Sequence, residues 1–201
     1  PFCPQAIDNV TPKFVSDLLP QGRIHLGEAC IFPNTTPYAP YSAIVVLSGQ
    51  HFVGLTDFTE EMLTNGFIVS QTYLKRVQEY EARAKYLCIG WNYMPPSGSS
   101  QPHPHVQVEA AYFPTPQQKE LLEASQQYWI TNGTNFWSDL ITNEQQLGER
   151  YIGNTGSICW LMSFAPRGRL LDVLAIFQHR DSLLGNSQQE IREFSSGLTK
   201  V

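Results

Sequence analysis

Two histidines and a glutamine alternate with other residues in His103-Pro104-His105-Val106-Gln107. On an extended strand such alternate positions share one face, which would set two imidazoles and a carboxamide side by side. An imidazole nitrogen can attack phosphorus near neutral pH, where much of the group is unprotonated. A glutamine amide can donate to the non-bridging phosphoryl oxygens as charge builds on them. A His-x-His pair also suits metal ligation or a plain surface position, and the pair alone does not choose among these roles. Ser99 and Ser100 close a Gly-containing loop just before the pair, and Asn92 ends the preceding apolar run. Hydroxyls, backbone N–H groups and an amide give the segment the character of an anion site. Taken singly, Asn92, Ser99 and Ser100 also suit an ordinary turn or cap.

Positioning these groups takes strands on either side and helices behind them. Residues 1–20 are Pro-rich and read as irregular. Residues 24–32 read as one or two strands, and the β-branched run 42–47 as a buried strand. Residues 57–85 read as a long helix, with Asp57 and Glu60 at capping-box spacing. Residues 86–91 and 103–109 are further strands around the loop 94–100. Thr115-Pro116-Gln117-Gln118 is a strong helix start, with a Thr cap, an early Pro and a Gln three residues after the cap. That helix should run to about residue 129, and a shorter one should cover 135–147. Strands at 150–152, 157–162 and 172–177 precede a last helix from about residue 187. Tyr38-Ala39-Pro40 before one buried strand parallels Phe164-Ala165-Pro166 before another, which reads as an internal duplication.

Whole-chain properties narrow the function classes. The 201 residues are 42% hydrophobic and 15% charged, a globular rather than a disordered composition. The net charge is -5, with no basic runs, which argues against long nucleic acid as a partner. No apolar run is long enough to span a membrane. No basic, apolar leader opens the chain, so a cytoplasmic location is the expectation. Cys3, Cys30, Cys88 and Cys159 are too widely spread to look like a disulfide framework.

The apolar run 86–91, Asn92, the Gly/Ser loop with Ser100, and His-Pro-His-x-Gln together resemble the active-site segment of galactose-1-phosphate uridylyltransferases. These form a branch of the histidine-triad superfamily. The Pro between the histidines and the Gln in place of a third His favour this branch over the histidine-triad hydrolases. Phe32-Pro33-Asn34, Tyr38-Ala39-Pro40 and His51 before a long helix fit the same layout. The resemblance covers most of residues 1–130 and, more weakly, 150–180.

The resemblance implies an α+β fold, with antiparallel strands and helices packed on one face, in two related halves. Residues 1–130 would hold the active-site segment, and 131–201 an incomplete or degenerate second half. It implies a nucleotidyltransferase of galactose metabolism that moves a nucleoside monophosphate, UMP foremost, between a nucleotide sugar and a sugar 1-phosphate. His105 would be the nucleophile that becomes a nucleotidyl-histidine, and Gln107 the amide that steadies it. Ser100 and Asn92 would contact phosphate, with Ser99 beside them, and Asn34 the nucleotide. Cys3, His51 and His103 would be three ligands of a structural zinc, the fourth belonging to a Cys-x-x-Cys-Pro motif of which Pro1-Phe2-Cys3-Pro4 shows only the tail. Homodimerisation is also usual in the family. Glu120 falls near the carboxylate of a second family metal site, but its histidine partners are missing and His179 stands alone, so a helix charge is expected. Arg167 and Arg169 beside the second Ala-Pro loop are expected to be solvated.

Two other readings compete. The same chemistry with inorganic phosphate as acceptor would make a phosphorylase of ADP-sugars or dinucleoside polyphosphates. A non-catalytic nucleotide-binding protein is the reading of a different class: the incomplete second half favours it, and the intact His105–Gln107 pair opposes it.

Overall fold

A computed structural model describes residues 2–167 and 172–200. The chain forms two units, the first ending at Phe113 and the second beginning at Pro114. This division falls before the boundary expected after residue 130. Thr115 caps a helix that packs on its successor, where the Tyr128 hydroxyl donates to Asp139 Oδ2 at 3.0 Å, so the helix belongs to the second unit.

The first unit opens with α1 (Pro4–Val10), where an irregular segment was expected. Pro4 is tolerated because the first helical N–H has no partner in any case. Strands β1 (Ile24–Leu26) and β2 (Ala29–Pro33) form a hairpin turned at Gly27, whose φ of 56° suits glycine. Next come β3 (Tyr41–Val46), α2 (Glu60–Tyr80), β4 (Tyr86–Gly90) and β5 (His105–Ala111). All pairings are antiparallel and the sheet order is β1-β2-β3-β5-β4. The long helix starts later and stops earlier than its sequence suggests. Thr59, not Asp57, caps it by accepting from the Met62 N–H, and Asp57 sits in a preceding 3-10 turn.

One face of this sheet is the core. Val106, Val108 and Ala110 of β5 are fully buried, and α2 contributes Leu63, Val69, Tyr73, Leu74 and Val77. Each Val or Leu among them contributes about 1.5–3 kcal/mol by leaving water. The opposite face carries His105 and Gln107, because strand residues alternate. There Cys30, Phe32, Ile44 and Val46 are covered by Ile7 of α1 and by Phe2. Arg23 fastens α1, donating from Nη2 to the Ile7 and Thr11 carbonyls at 3.2 and 2.7 Å.

The second unit holds α3 (Pro116–Asn132), α4 (Phe136–Leu147), β6 (Tyr151–Thr155), β7 (Ile158–Met162), β8 (Val173–Phe177) and α5 (Gln188–Leu198). The Thr115 capping box forms as expected, and α3 ends at Gly133 with a φ of 71°. Its three-stranded sheet has the order β6-β7-β8, and Leu140 and Ile141 of α4 pack on the face holding Cys159 and Leu161. Hairpin, third strand and helix repeat the order β1-β2-β3-α2 of the first unit. Here, however, α4 fills the face that in the first unit carries His105. No helix among the described residues is long and apolar enough to cross a membrane.

Candidate active site

The sheet sets the positions of His105 and Gln107. His105 pairs with Val46, and Gln107 lies between Ile44 of β3 and Gly90 of β4. Both side chains therefore project from the face away from α2. A Cβ on Gly90 would meet nothing within 4 Å, so the space flanking Gln107 on the β4 side is open.

His103 lies just before the strand that carries His105 and Gln107. β5 begins only at His105, because Pro104 lacks an N–H and cannot donate to a ladder. The Pro104 carbonyl still accepts from Leu47 N–H at 2.9 Å, which holds the segment beside the end of β3. The His103 ring is buried, with its Nε2 at 2.8 Å from the Ser48 carbonyl. A carbonyl only accepts, so Nε2 carries the hydrogen and the lone pair is on Nδ1. Burial holds this imidazole below its ordinary range, in the neutral form.

The same logic sets the tautomer of His105. Its Nδ1 lies 2.8 Å from the His103 carbonyl, so Nδ1–H donates and Nε2 keeps the lone pair. Phe2 packs edge-on against both rings, 6.0 Å from His103 and 5.4 Å from His105 between centroids.

His103 Nδ1 is buried and has no hydrogen-bond partner. The His103 ring lies beside two other candidate ligands. Cys3 Sγ and His51 Nδ1 are 3.7 Å apart, and one donor atom from each of Cys3, His51 and His103 lies within 4.8 Å of the others. A thiol and two imidazoles, one with its second nitrogen donating to a carbonyl, are the donor chemistry of a zinc site. The three residues fit the ion, and a fourth protein ligand is not found among the described residues.

The loop between β4 and β5 carries the other expected contacts. Gly90 pairs with Gln107, so the chain leaving β4 passes Asn92 at the His105 end of the sheet. Asn92 and Ser100 are exposed, while Ser99 is buried and donates its hydroxyl to the Gln101 carbonyl at 2.7 Å. The Ser99 hydroxyl proton is therefore committed to the loop itself. Met94 turns this loop with a φ of 65°, unusual for a side chain with a Cβ.

Asn34 lies elsewhere on the same sheet. Its Nδ2 donates to Ser42 Oγ at 3.1 Å and its Oδ1 accepts from Thr36 N–H at 3.0 Å. Ser42 pairs with Glu109, so Asn34 stands two strands across and four residues along from His105. Ordinary strand spacings make that about 16 Å. Glu109 was missed in the sequence, although the same alternation extends from His105 through Gln107 to it. Burial raises its carboxyl above the usual range, and its Oε1 has no partner. Phe2 was also missed, having no motif of its own.

The secondary candidates do not join the site. Glu120 forms an ion pair with Arg167 at 3.3 Å, both exposed, and His179 is exposed. Arg169 lies outside the described residues. The four cysteines form no disulfide.

No protein-family model matches the chain. An uncharacterized protein of Archaeoglobus fulgidus is 32% identical over 202 residues, covering 100% of this chain and 59% of its own length. The chain thus spans somewhat over half of the curated relative it matches. Among solved structures, a uridylyltransferase superposes with a TM-score of 0.74 at 18% identity, over 87% of this chain and 61% of its own. A galt-like protein from Arabidopsis thaliana gives 0.80 at 14% identity, over 99% and 67%. An ADP-glucose phosphorylase from Arabidopsis thaliana with bound ADP-glucose gives 0.78 at 13%, over 99% and 66%. The chain therefore has the α+β fold of these uridylyltransferase-like proteins, which is the fold implied by its resemblance to the galactose-1-phosphate uridylyltransferase branch of the histidine-triad superfamily.

Proposed function

We propose that the chain is a nucleotidyltransferase that carries a nucleoside monophosphate on His105 Nε2, UMP being the first expectation. The observation that carries this reading is the His105 hydrogen bond to the His103 carbonyl. It commits Nδ1 as donor and leaves Nε2 as the nucleophile, on the strand face it shares with Gln107. As Nε2 bonds to the α-phosphorus, the ring gains positive charge, and the carbonyl stabilises it through Nδ1–H. The bridging P–O bond breaks and a sugar 1-phosphate leaves. An acceptor phosphate then attacks the same phosphorus, the N–P bond breaks, and the ring returns to its neutral form.

In this reading Gln107, Ser100 and Asn92 donate to the phosphoryl oxygens. Ser99 holds the loop that presents them. Asn34 meets a part of the nucleotide remote from the reacting phosphorus, consistent with its separation from His105. Cys3, His51 and His103 would hold a zinc ion, whose chemistry is to cross-link the N-terminal segment to the ends of β3 and β5. His103 then serves both halves of the site, its ring toward the metal and its carbonyl toward His105.

The test is intact-mass detection of one added nucleotidyl group after incubation with UDP-glucose, UDP-galactose, ADP-glucose or a dinucleoside polyphosphate. An adduct is expected with one class of donor and is lost in His105→Ala. Absence of an adduct with all four would favour the non-catalytic nucleotide-binding reading. Adding inorganic phosphate or a sugar 1-phosphate to the isolated adduct then identifies the acceptor. Release of a nucleoside diphosphate by phosphate alone would make the protein a phosphorylase.

A further inference from the structure

The turn after β3 is tied to a residue that the proposed chemistry does not use. Glu28 sits in the β1–β2 hairpin turn, and its Oε2 accepts from the Ser48 hydroxyl at 2.8 Å and from Gly49 N–H at 3.0 Å. The Ser48 hydroxyl also accepts from Gln50 N–H at 3.1 Å. One carboxylate oxygen therefore pins two successive residues of the turn, and the Ser48 hydroxyl passes the constraint to the third. His51 follows immediately. The Ser48 carbonyl is the acceptor that orients His103.

Gly49 supplies an independent contact with the third ligand. A Cβ on Gly49 would lie 2.9 Å from Pro4 Cγ, closer than a real side chain tolerates. Pro4 is the residue after Cys3, and its ring is stiff. The turn that Glu28 holds is thus the surface on which the start of α1 rests.

We infer that Glu28 is a positioning residue for the cation site: it latches the Ser48–Gly49 turn so that Cys3, His51 and His103 converge. The inference rests on the zinc reading above. The logic is that of outer-shell partners elsewhere, which orient metal ligands without touching the ion. Such partners typically change metal affinity by about 10–100-fold on substitution. Glu28 is exposed, so the lower end, about tenfold, is expected.

The experiment uses the 201-residue chain, loaded with zinc and titrated against a chromophoric chelator. Glu28→Gln keeps the shape and removes the charge, and is expected to bind zinc about tenfold more weakly. Gly49→Ala should also weaken binding by displacing Pro4, while Ser48→Ala, which keeps the carbonyl on His103, should have the smaller effect. Cobalt(II) gives a signature that a merely structural role would not move. At saturating metal, Glu28→Gln should alter the d–d bands and the thiolate-to-cobalt charge-transfer band of Cys3. Zinc affinity within about twofold of the parent, with an unchanged cobalt spectrum, would overturn the positioning role while leaving the metal site standing. Absence of zinc binding in the parent chain would overturn both. Melting in chelator tests for a folding defect: Glu28→Gln should keep a single cooperative transition when metal-free, and its loss would overturn the positioning role.

Discussion

Gln107 offers the sharpest test of the proposed chemistry. Its amide shares a sheet face with His105 and is flanked by the open space at Gly90. A preorganised donor to a developing oxyanion is worth about 10²–10³-fold in rate. The side chain is only half-buried, so Gln107→Ala is expected at the lower end, about 10²-fold, or about 2.7 kcal/mol. Gln107→Glu keeps the reach and reverses the effect on the phosphoryl group. A carboxylate about 4 Å from a phosphoryl charge is repelled by about 4 kcal/mol at an effective dielectric of 20. That variant should be about 10³-fold slower than the parent or worse. Neither change touches Val106 or Val108, which hold β5 to the core, so stability should move by less than about 0.5 kcal/mol. The assay is the single-turnover rate of adduct formation by rapid quench and mass spectrometry, with melting curves as the control. A Gln107→Ala rate within about threefold of the parent, or a Gln107→Glu variant faster than Gln107→Ala, would refute the assignment.

Three further outcomes test the packing and electrostatics of the second unit. Gly197→Ala would drive its Cβ into Trp160 Cζ2, in an indole held by an Nε1–H bond to Thr155 Oγ1 at 2.7 Å. Overpacking at about 1–3 kcal/mol should outweigh the helix gain of about 1 kcal/mol, lowering the urea midpoint; a raised midpoint would show that the indole yields freely. Thr115→Ala removes the capping box of α3 and should cost about 1 kcal/mol, and no change in denaturation would contradict the cap. Arg180 donates to Glu190 from Nε at 2.8 Å and holds its carboxyl down at about 2, against an ordinary 4.5. Because the folded value is the lower one, this stability is complete above about pH 5 and is lost as pH falls toward 2. Glu190→Gln should therefore be less stable than the parent at pH 7, with the gap closing below about pH 4; a gap independent of pH would rule out the ion pair as its source.

Much of the architecture was legible along the chain because it is local. Turn residues and β-branched runs marked the strands, and the Thr115-Pro116-Gln117-Gln118 cap marked α3. Capping competes within a few residues, so the start of α2 moved from Asp57 to Thr59, and the N-terminal prolines hid α1. The second unit's boundary depends on which helix packs on which, a long-range fact that composition does not carry. The pairing of His105 with Gln107 needed only the strand period of two. The start of β5 at His105 was also written locally, in Pro104, which has no N–H to give a ladder. What the linear order could not state is that the Ser48 carbonyl would meet the His103 ring, or that Glu28 would hold that carbonyl in place. Hydrogen bonds of this kind join residues that only the antiparallel register brings together. Residue type thus set which atoms could attack, donate or ligate, while tertiary structure decided which nitrogen of each histidine is free to do so.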